Sequence, residues 1–346
     1  MQDNRAAAAE AHLRYVNDGE VGISRVKRGK GFSYVFDNGE VVKEATTLER
    51  IRSLAIPPAW TKVWICKSAN GHIQAVGRDA KGRKQYKYHP KWREARDGTK
   101  YSRMLDFAKV LPVIRARVAA DLRREGMPRE KILATVVKLL DLTALRIGNE
   151  EYAKQNRSYG LSTLQTKHVD VEGSKVKFRF TGKSGIKHEV AITHKGIAKI
   201  LKRCQEIPGQ ELFQYLDGDS PVSIDSSHVN DYIRQAADGD FTAKDFRTWA
   251  GTVLAACALS EVGDCETENE KKAAVVMAVD TVAAALGNTR AVCRKCYIHP
   301  AVVEAFGDER LVALLGSGRR VAGLSKEESR LRRLLSVNNK ESKRAA

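Results

Sequence analysis

Lys175-Val-Lys-Phe-Arg-Phe-Thr181, then Gly182-Lys183-Ser184-Gly185, then Ile186 to Ile192 is the stretch on which the reading of the fold turns. Val176, Phe178 and Phe180 alternate with Lys175, Lys177 and Arg179, the period of two expected of a strand with one buried face. The glycine-bounded tetrapeptide supplies a turn, and the second run returns as the partner strand. Lys183 therefore stands at a hairpin tip, where a long cationic side chain reaches out of the domain. On either side the period changes. Residues 107–125 and 129–142 carry apolar side chains three and four apart, the pattern of helices with one buried stripe. Downstream, Thr242-Ala-Lys-Asp245 has capping-box spacing and opens a helix over 243–259. Arg247 then lies near the positive end of that helix, where an anion is favoured. Residues 271–286 form another helix with Gly287 as its C-cap. Ser325-Lys-Glu-Glu328 opens a last helix ending near Leu335, with frayed residues beyond. The acidic run Glu261, Asp264, Glu266, Glu268 and Glu270 reads as a solvated loop.

The first hundred residues have a different texture. Phe32-Ser-Tyr-Val-Phe36, Asp37-Asn-Gly39 and Val41-Val42 give a hairpin signal with Asn-Gly turn chemistry. Val63-Trp-Ile-Cys66, a turn at Asn70-Gly71 and His72-Ile-Gln-Ala-Val76 give a second. A short helix over 46–54, with Thr46 or Thr47 as N-cap, ends before Pro57-Pro58. Asp97-Gly98-Thr99-Lys100 reads as a linker, dividing the chain into 1–98 and 99–346. The expected fold class is α+β: a small β-rich N-terminal lobe plus a larger, mainly α-helical lobe containing a small hairpin sheet.

At 346 residues the chain has room for two domains and a sizeable core. A hydrophobic share of 42% against a charged share of 29% excludes a disordered protein. The net charge of +18, with an isoelectric point near 9.6, calls for a polyanionic partner, nucleic acid first and an anionic membrane surface second. Twelve Lys and Arg fall between Trp60 and Arg103 against only Asp79, Glu94 and Asp97. Half the excess charge thus lies in about an eighth of the chain, interleaved with Trp60, Trp64, Tyr86, Tyr88, Trp92 and Tyr101.

The opening Met-Gln-Asp-Asn-Arg-Ala-Ala-Ala-Ala-Glu lacks the apolar core of a signal peptide. The longest apolar stretch, 250–259, is far short of a membrane span. The expectation is a cytosolic protein, nucleoid-associated if bacterial, with nucleic acid as partner, no membrane and no obligate protein partner. Six cysteines in a chain of this size do not form a secreted disulfide framework. Cys293-x-x-Cys296 has only His299 nearby as a further ligand, so the pair reads as reduced thiols on a helix. No metal and no cofactor are expected.

Tyr297 follows Asn288-Thr-Arg-Ala-Val-Cys-Arg-Lys-Cys296, with Arg146, Lys183 and Arg247 upstream. A phenol, with a pKa near ~10, is a poor nucleophile at neutral pH. It becomes effective against a phosphodiester when cations stabilise the charge that builds in the transition state. Taken singly, each residue has an ordinary explanation. The arginines solvate helix surfaces, Lys183 is a soluble turn residue, Asn288 caps the helix carrying Tyr297, and Tyr297 anchors a core through a bonded hydroxyl.

The local sequences shift that balance, because they resemble type IB DNA topoisomerases of the compact poxvirus-like and bacterial branch. Leu139-Leu-Asp-Leu-Thr-Ala-Leu-Arg146-Ile-Gly-Asn-Glu-Glu-Tyr152 resembles the family's first-arginine motif, and Gly160-Leu-Ser-Thr-Leu164 and Phe180-Thr-Gly-Lys183 the segments after it. Lys244-Asp-Phe-Arg247-Thr-Trp249 is similar to the second-arginine motif. Leu286-Gly-Asn288 and Cys293-Arg-Lys-Cys-Tyr297 match the last two catalytic positions. Gly77-Arg-Asp-Ala-Lys-Gly-Arg-Lys-Gln-Tyr86-Lys-Tyr88 resembles the DNA-contacting signature of the N-terminal lobe. The likeness runs from about residue 20 to 310 in five ordered motifs.

The resemblance implies a monomeric C-shaped clamp that relaxes supercoiled duplex DNA without ATP or metal. Tyr297 would be the nucleophile, leaving a 3′-phosphotyrosyl bond and a 5′-hydroxyl, and Arg146 and Arg247 would stabilise phosphate charge. Lys183 would be the general acid for the departing 5′-oxygen. Asn288 stands where viral and nuclear relatives have histidine, so it offers a hydrogen bond but no charge. Gln85, Tyr86, Tyr88, Tyr152 and Lys244 match DNA-contact positions, and Lys84 and Lys87 accompany them. The helix beginning at Ile147, bearing Asn149 and Glu150, corresponds to the one inserted in the major groove. Two other readings use parts of the same pattern. A tyrosine recombinase shares the chemistry but usually has His-x-x-Arg as second motif, a shorter interval than the 41 residues from Arg247 to Asn288, and a helical N-terminal domain. A non-enzymatic DNA-compaction protein explains the charge but not the specific contexts.

Overall fold

The computed structural model describes residues 2–345 apart from Lys30, Lys81, Asp219, Asp264, Ser317 and Gly318, with backbone alone at 2–4, 7, 94–100, 102 and 342–345. Lys81 of the N-terminal signature and Asp264 of the acidic run thus lie outside the described residues. The chain forms two compact units, 1–102 and 103–346.

The first unit contains α1 (Gln2–Glu10), β1 (Ile23–Arg28), β2 (Gly31–Phe36), α2 (Ala45–Ser53), β3 (Thr61–Ile65), β4 (Ile73–Arg78) and β5 (Lys84–Tyr88). The five strands make one antiparallel sheet in the order β2-β1-β3-β4-β5. Ile23, Val42, Ile51, Val63, Ile65 and Ala75 form its core. The β3–β4 hairpin follows the sequence reading. The other does not: β2 pairs with β1, and Val41 makes only an isolated bridge to Val35. Asn38-Gly39 still turns the chain, with the Phe36 N–H donating to the Glu40 carbonyl at 2.9 Å. The N-cap of α2 is Glu44 rather than a threonine, and the Thr46 and Thr47 hydroxyls donate to its carboxylate.

Residues 97–100, read as a linker, are helical: α3 runs unbroken over Pro90–Leu122. Gly98 costs an interior helix about 1 kcal/mol, too little to interrupt one of 33 residues. After it come α4 (Arg129–Thr143), α5 (Glu150–Asn156), β6 (Val169–Glu172), β7 (Lys175–Thr181), β8 (Lys187–Thr193), α6 (Lys195–Glu206), β9 (Gln214–Asp217), β10 (Ser220–Ser223) and α7 (Ser226–Ala237). The chain closes with α8 (Ala243–Ser260), α9 (Glu268–Leu286), α10 (Arg290–Cys296), α11 (Pro300–Gly307), α12 (Leu311–Leu315) and α13 (Lys326–Ala345). The fold is α+β, with strands gathered at the N-terminal end and helices dominating the rest. The last helix continues well past Leu335 where fraying was expected.

The α9 helix starts three residues earlier than its apolar pattern suggests. Glu268 and Glu270 occupy its first turn, beside the positive end of the helix dipole, and the Thr267 hydroxyl accepts from the Glu270 N–H. Packing of the second unit centres on Phe107, whose ring meets Phe246 at 5.1 Å and Trp249 at 6.3 Å. Leu111, Ile114, Ile132, Leu133, Leu139 and Leu140 are fully buried around it. On α8, Arg247 stands between the core residues Phe246 and Trp249 and is itself buried.

Candidate active site

Four of the five proposed catalytic residues come together where α4, α8, α9 and α10 end or begin. Arg146 follows the left-handed C-cap of α4, Ala144. Its loop is held by close backbone crossing: the Leu161 N–H donates to the Arg146 carbonyl at 2.9 Å and the Ser162 N–H to Ile147 at 2.6 Å. A Cβ on Gly160 would sit 2.5 Å from the Gly148 nitrogen and 2.7 Å from the Arg146 carbonyl oxygen. The Gly160-Leu-Ser segment is thus the clamp on the first-arginine loop.

Arg247 leaves the fifth position of α8, whose start is fixed by the Thr242 N–H and hydroxyl donating to Asp245 Oδ2 at 2.8 and 3.0 Å. Its guanidinium, only 4% exposed, donates to the carbonyls of Ala144 and Leu286. Arg146 donates to the Gly287 carbonyl at 3.2 Å and to Asn288 Oδ1. Asn288 follows the left-handed Gly287 that closes α9, and the N-cap of α10 is Thr289. Asn288 is therefore not a cap, and its amide oxygen is spent on Arg146.

Tyr297 closes α10, half-buried on a cluster that includes Ala255, Val282, Leu286 and Cys293. The Arg247 guanidinium lies 5.2 Å from the centre of its ring. Its backbone is pinned to α8: Thr252 Oγ1 donates to the Tyr297 carbonyl at 3.2 Å and accepts from the His299 N–H at 3.2 Å. A Cβ on Gly251 would lie 2.7 Å from that carbonyl oxygen, so only glycine permits the approach. Among the described residues the phenol hydroxyl has no hydrogen-bond partner, unlike a core-anchoring tyrosine.

The electrostatics of the cluster are one-sided. No carboxylate among the described residues pairs with Arg146 or Arg247; backbone carbonyls and the Asn288 amide oxygen receive their N–H groups. Burial, and then the neighbouring charge of Arg247, pull the Arg146 pKa down. Arg247 Nε and Asn288 Nδ2 are buried and unpartnered, two donors aimed at nothing. Buried donors are nearly always satisfied, so these two mark a place for an acceptor-rich anion.

Lys183 sits apart, exposed at the β7–β8 tip where Ser184 and Gly185 take φ of 64° and 77°. The Gly182 N–H donates to the Ile186 carbonyl at 2.7 Å, closing the turn. His188 of β8, whose ring lies between Gly182 and Gly287, went unnoticed in the sequence, since a lone histidine in an alternating strand carries no motif. Cys293 and Cys296 lie on α10, Cys293 buried with its thiol pKa pushed up by that burial.

The remaining candidates occupy two surfaces. On β5, the edge strand, Lys84, Tyr86 and Tyr88 share a face: the tyrosine rings stack at 5.8 Å and the Lys84 ammonium lies 5.6 Å from the Tyr86 ring. Lys84 is also paired with Asp18 at 2.7 Å. Gln85 and Lys87 belong to the opposite face, and Gln85 Nε2 donates to Asp79 at 3.0 Å. In the second unit, Lys244 is exposed in the first turn of α8, and Tyr152 is exposed on α5. The helix expected from Ile147 begins only at Glu150. Gly148 has φ of 103°, outside helical geometry, and the Asn149 side chain is the N-cap, accepting from the Tyr152 N–H at 3.1 Å.

Comparison with known proteins places the chain in a family. Residues 89–312 match the family model of the eukaryotic DNA topoisomerase I catalytic core, and residues 31–79 that of the bacterial DNA topoisomerase IB N-terminal domain. DNA topoisomerase 1B of Acanthamoeba polyphaga mimivirus is 34% identical over 296 residues, covering 82% of this chain and 87% of that one. Vaccinia virus DNA topoisomerase 1B is 21% identical over 240 residues, 68% of this chain and 73% of the relative. DNA topoisomerase 1 of Schizosaccharomyces pombe is 27% identical over 264 residues, 74% of this chain but 29% of the longer relative. The matches define an isomerase that acts on DNA. The chain belongs to the type IB DNA topoisomerase family.

Proposed function

We propose that this chain relaxes supercoiled duplex DNA as a monomer in the cytosol, by transient cleavage of one strand through Tyr297, without ATP or metal. The observation that carries the reading is the carboxylate-free pair of half-buried Arg146 and buried Arg247 beside an unbonded phenol, with two donors unsatisfied. A scissile phosphate seated there receives the guanidinium N–H groups and the Asn288 amide N–H, which neutralise charge as the phosphorus becomes five-coordinate. Tyr297 Oη attacks phosphorus and loses its proton to solvent. The bond to O5′ breaks, and Lys183 delivers a proton to that oxygen. The 3′-phosphotyrosyl bond keeps the energy of the phosphodiester, so the 5′-hydroxyl can attack in reverse after strand rotation.

Tyr297→Phe removes only the nucleophilic oxygen. It is expected to abolish relaxation of supercoiled plasmid in EDTA without ATP while leaving DNA affinity nearly unchanged. Denaturing gels should show a covalent adduct for the native chain and none for the variant; an adduct formed by the variant would assign the nucleophile to another tyrosine.

A further inference from the structure

We propose that His188 is a positioning residue for the reaction, a flat wedge that seats the Lys183 hairpin against the Gly287–Asn288 turn. The inference rests on the reading of Lys183 as general acid. His188 is the second residue of β8 and stands opposite Phe180 in the β7–β8 register. Its ring stacks on Phe180 at 5.1 Å with planes 20° apart. The other sides of the imidazole are bounded by two glycines from different elements. A Cβ on Gly182, the residue before Lys183, would lie 2.6 Å from His188 Cδ2; a Cβ on Gly287 would lie 2.6 Å from His188 Cε1. The ring therefore fills the space between the hairpin tip and the turn whose carbonyl receives Arg146.

Outside the tip, the hairpin is held by its own ladder and by the Tyr159 N–H donating to the Thr181 carbonyl at 2.8 Å. The backbone hydrogen bonds of the tip itself are internal to residues 182–186, and the Lys183 side chain has no partner among the described residues. A general acid works only within hydrogen-bond reach of the departing oxygen, and a displacement of about 1 Å costs up to ~10²-fold in rate. Burial, then the charges of Arg146 and Arg247, hold the imidazole pKa below its usual value. The wedge is neutral at physiological pH and adds no third charge to the arginine pair.

The test compares cleavage of ordinary DNA with cleavage of DNA carrying sulfur for the bridging 5′-oxygen, a leaving group that needs no proton. His188→Ala is expected to cleave the oxygen substrate about 10²-fold slowly under single-turnover conditions, as a displaced acid would, and the sulfur substrate near the native rate with unchanged DNA affinity. Combined with Lys183→Ala it should add almost nothing on the oxygen substrate, because both changes remove one event. His188→Phe keeps the stacked ring and should restore most of the rate, which also guards against an alanine variant that folds poorly. Equal slowing of both substrates by His188→Ala, or no slowing of either, overturns the proposal while leaving Lys183 untouched. A His188→Phe variant as slow as alanine on the oxygen substrate also overturns it, by assigning the effect to the ring nitrogens. If Lys183→Ala is itself equally slow on both substrates, the general-acid reading falls, and the proposal with it.

Discussion

The positive charges of β5 and those of the catalytic cluster are the same chemistry under opposite conditions. On β5, Lys84 is exposed, lies against the Tyr86 ring and is balanced by Asp18. In the cluster, Arg146 and Arg247 are largely withdrawn from water, feel one another's charge, and have carbonyls, an amide oxygen and the Tyr297 ring for neighbours but no carboxylate. An exposed pair contributes little and is screened by salt. Charges removed from water interact strongly with whatever anion arrives. The first surface is suited to holding a backbone anywhere, the second to changing one phosphate. Arg115 shows that the second unit also contains an arginine of a third kind, half-buried and paired with two carboxylates. Its guanidinium contacts Asp141 at 2.7 Å and Glu328 at 2.8 Å, while the Trp249 indole donates to Glu328 at 3.0 Å.

Breaking that third kind should give the largest effect, and on stability rather than activity. Glu328→Ala leaves a half-buried guanidinium with Asp141 alone and the Trp249 indole without its acceptor, a loss of up to about 3 kcal/mol, read as a lower urea midpoint. Burial alone would raise the Glu328 pKa, but hydrogen bonds from Arg115 and the Ser325 N–H overcome it and hold the carboxyl below its ordinary value. Its contribution is thus complete above the unfolded-state glutamate pKa of ~4.3 and is lost as pH falls below it. A pH–stability profile of Glu328→Ala that stays parallel to the native one through that range would refute the assignment.

Arg247→Ala comes next, now on chemistry. Removing one charge-stabilising donor typically costs about 10²–10³-fold, so single-turnover cleavage should fall by that much on oxygen and sulfur substrates alike. Arg247→Lys should recover little, because an ammonium cannot replace the fork that reaches two carbonyls and the site together. Loss of DNA affinity as large as the loss of rate would erase the distinction between the two regions.

The smallest effect belongs to β5. Lys84→Ala should flatten the salt dependence of DNA binding by a slope of about 1, with relaxation intact at low salt. Lys87→Ala reports on the opposite face of the strand, so different slopes for the two variants would identify which face meets the duplex. Equal, unchanged slopes would move the binding surface off this strand.

How much of this was legible in the sequence depended on whether side chains or backbone carried the information. The β7 strand alternates cleanly, and its bounds agree with the sequence reading to the residue. In contrast, β1 reads Ile23-Ser-Arg-Val-Lys-Arg28, too polar to announce a strand whose place is fixed by β2 and β3 on either side. Asn38-Gly39 misled for a related reason: the turn exists, but tertiary pairing took β2 elsewhere. At the site, residue types and local motifs singled out the arginines, the asparagine and the tyrosine. They could not show that the carbonyls of Ala144, Leu286 and Gly287 hold the arginines, because a carbonyl has no residue identity. Nor could Asn149 be known as a cap before the helix start was fixed at Glu150, three residues beyond Ile147.

The approach of Gly251 to the Tyr297 carbonyl turns a missing side chain into a positioning device. Any side chain at 251 meets main chain, which cannot rotate aside as a flexible side chain would. The end of α10 would have to move to make room, and the phenol would move with it. The depth at which Tyr297 sits is thus set from α8, by an atom that is not there.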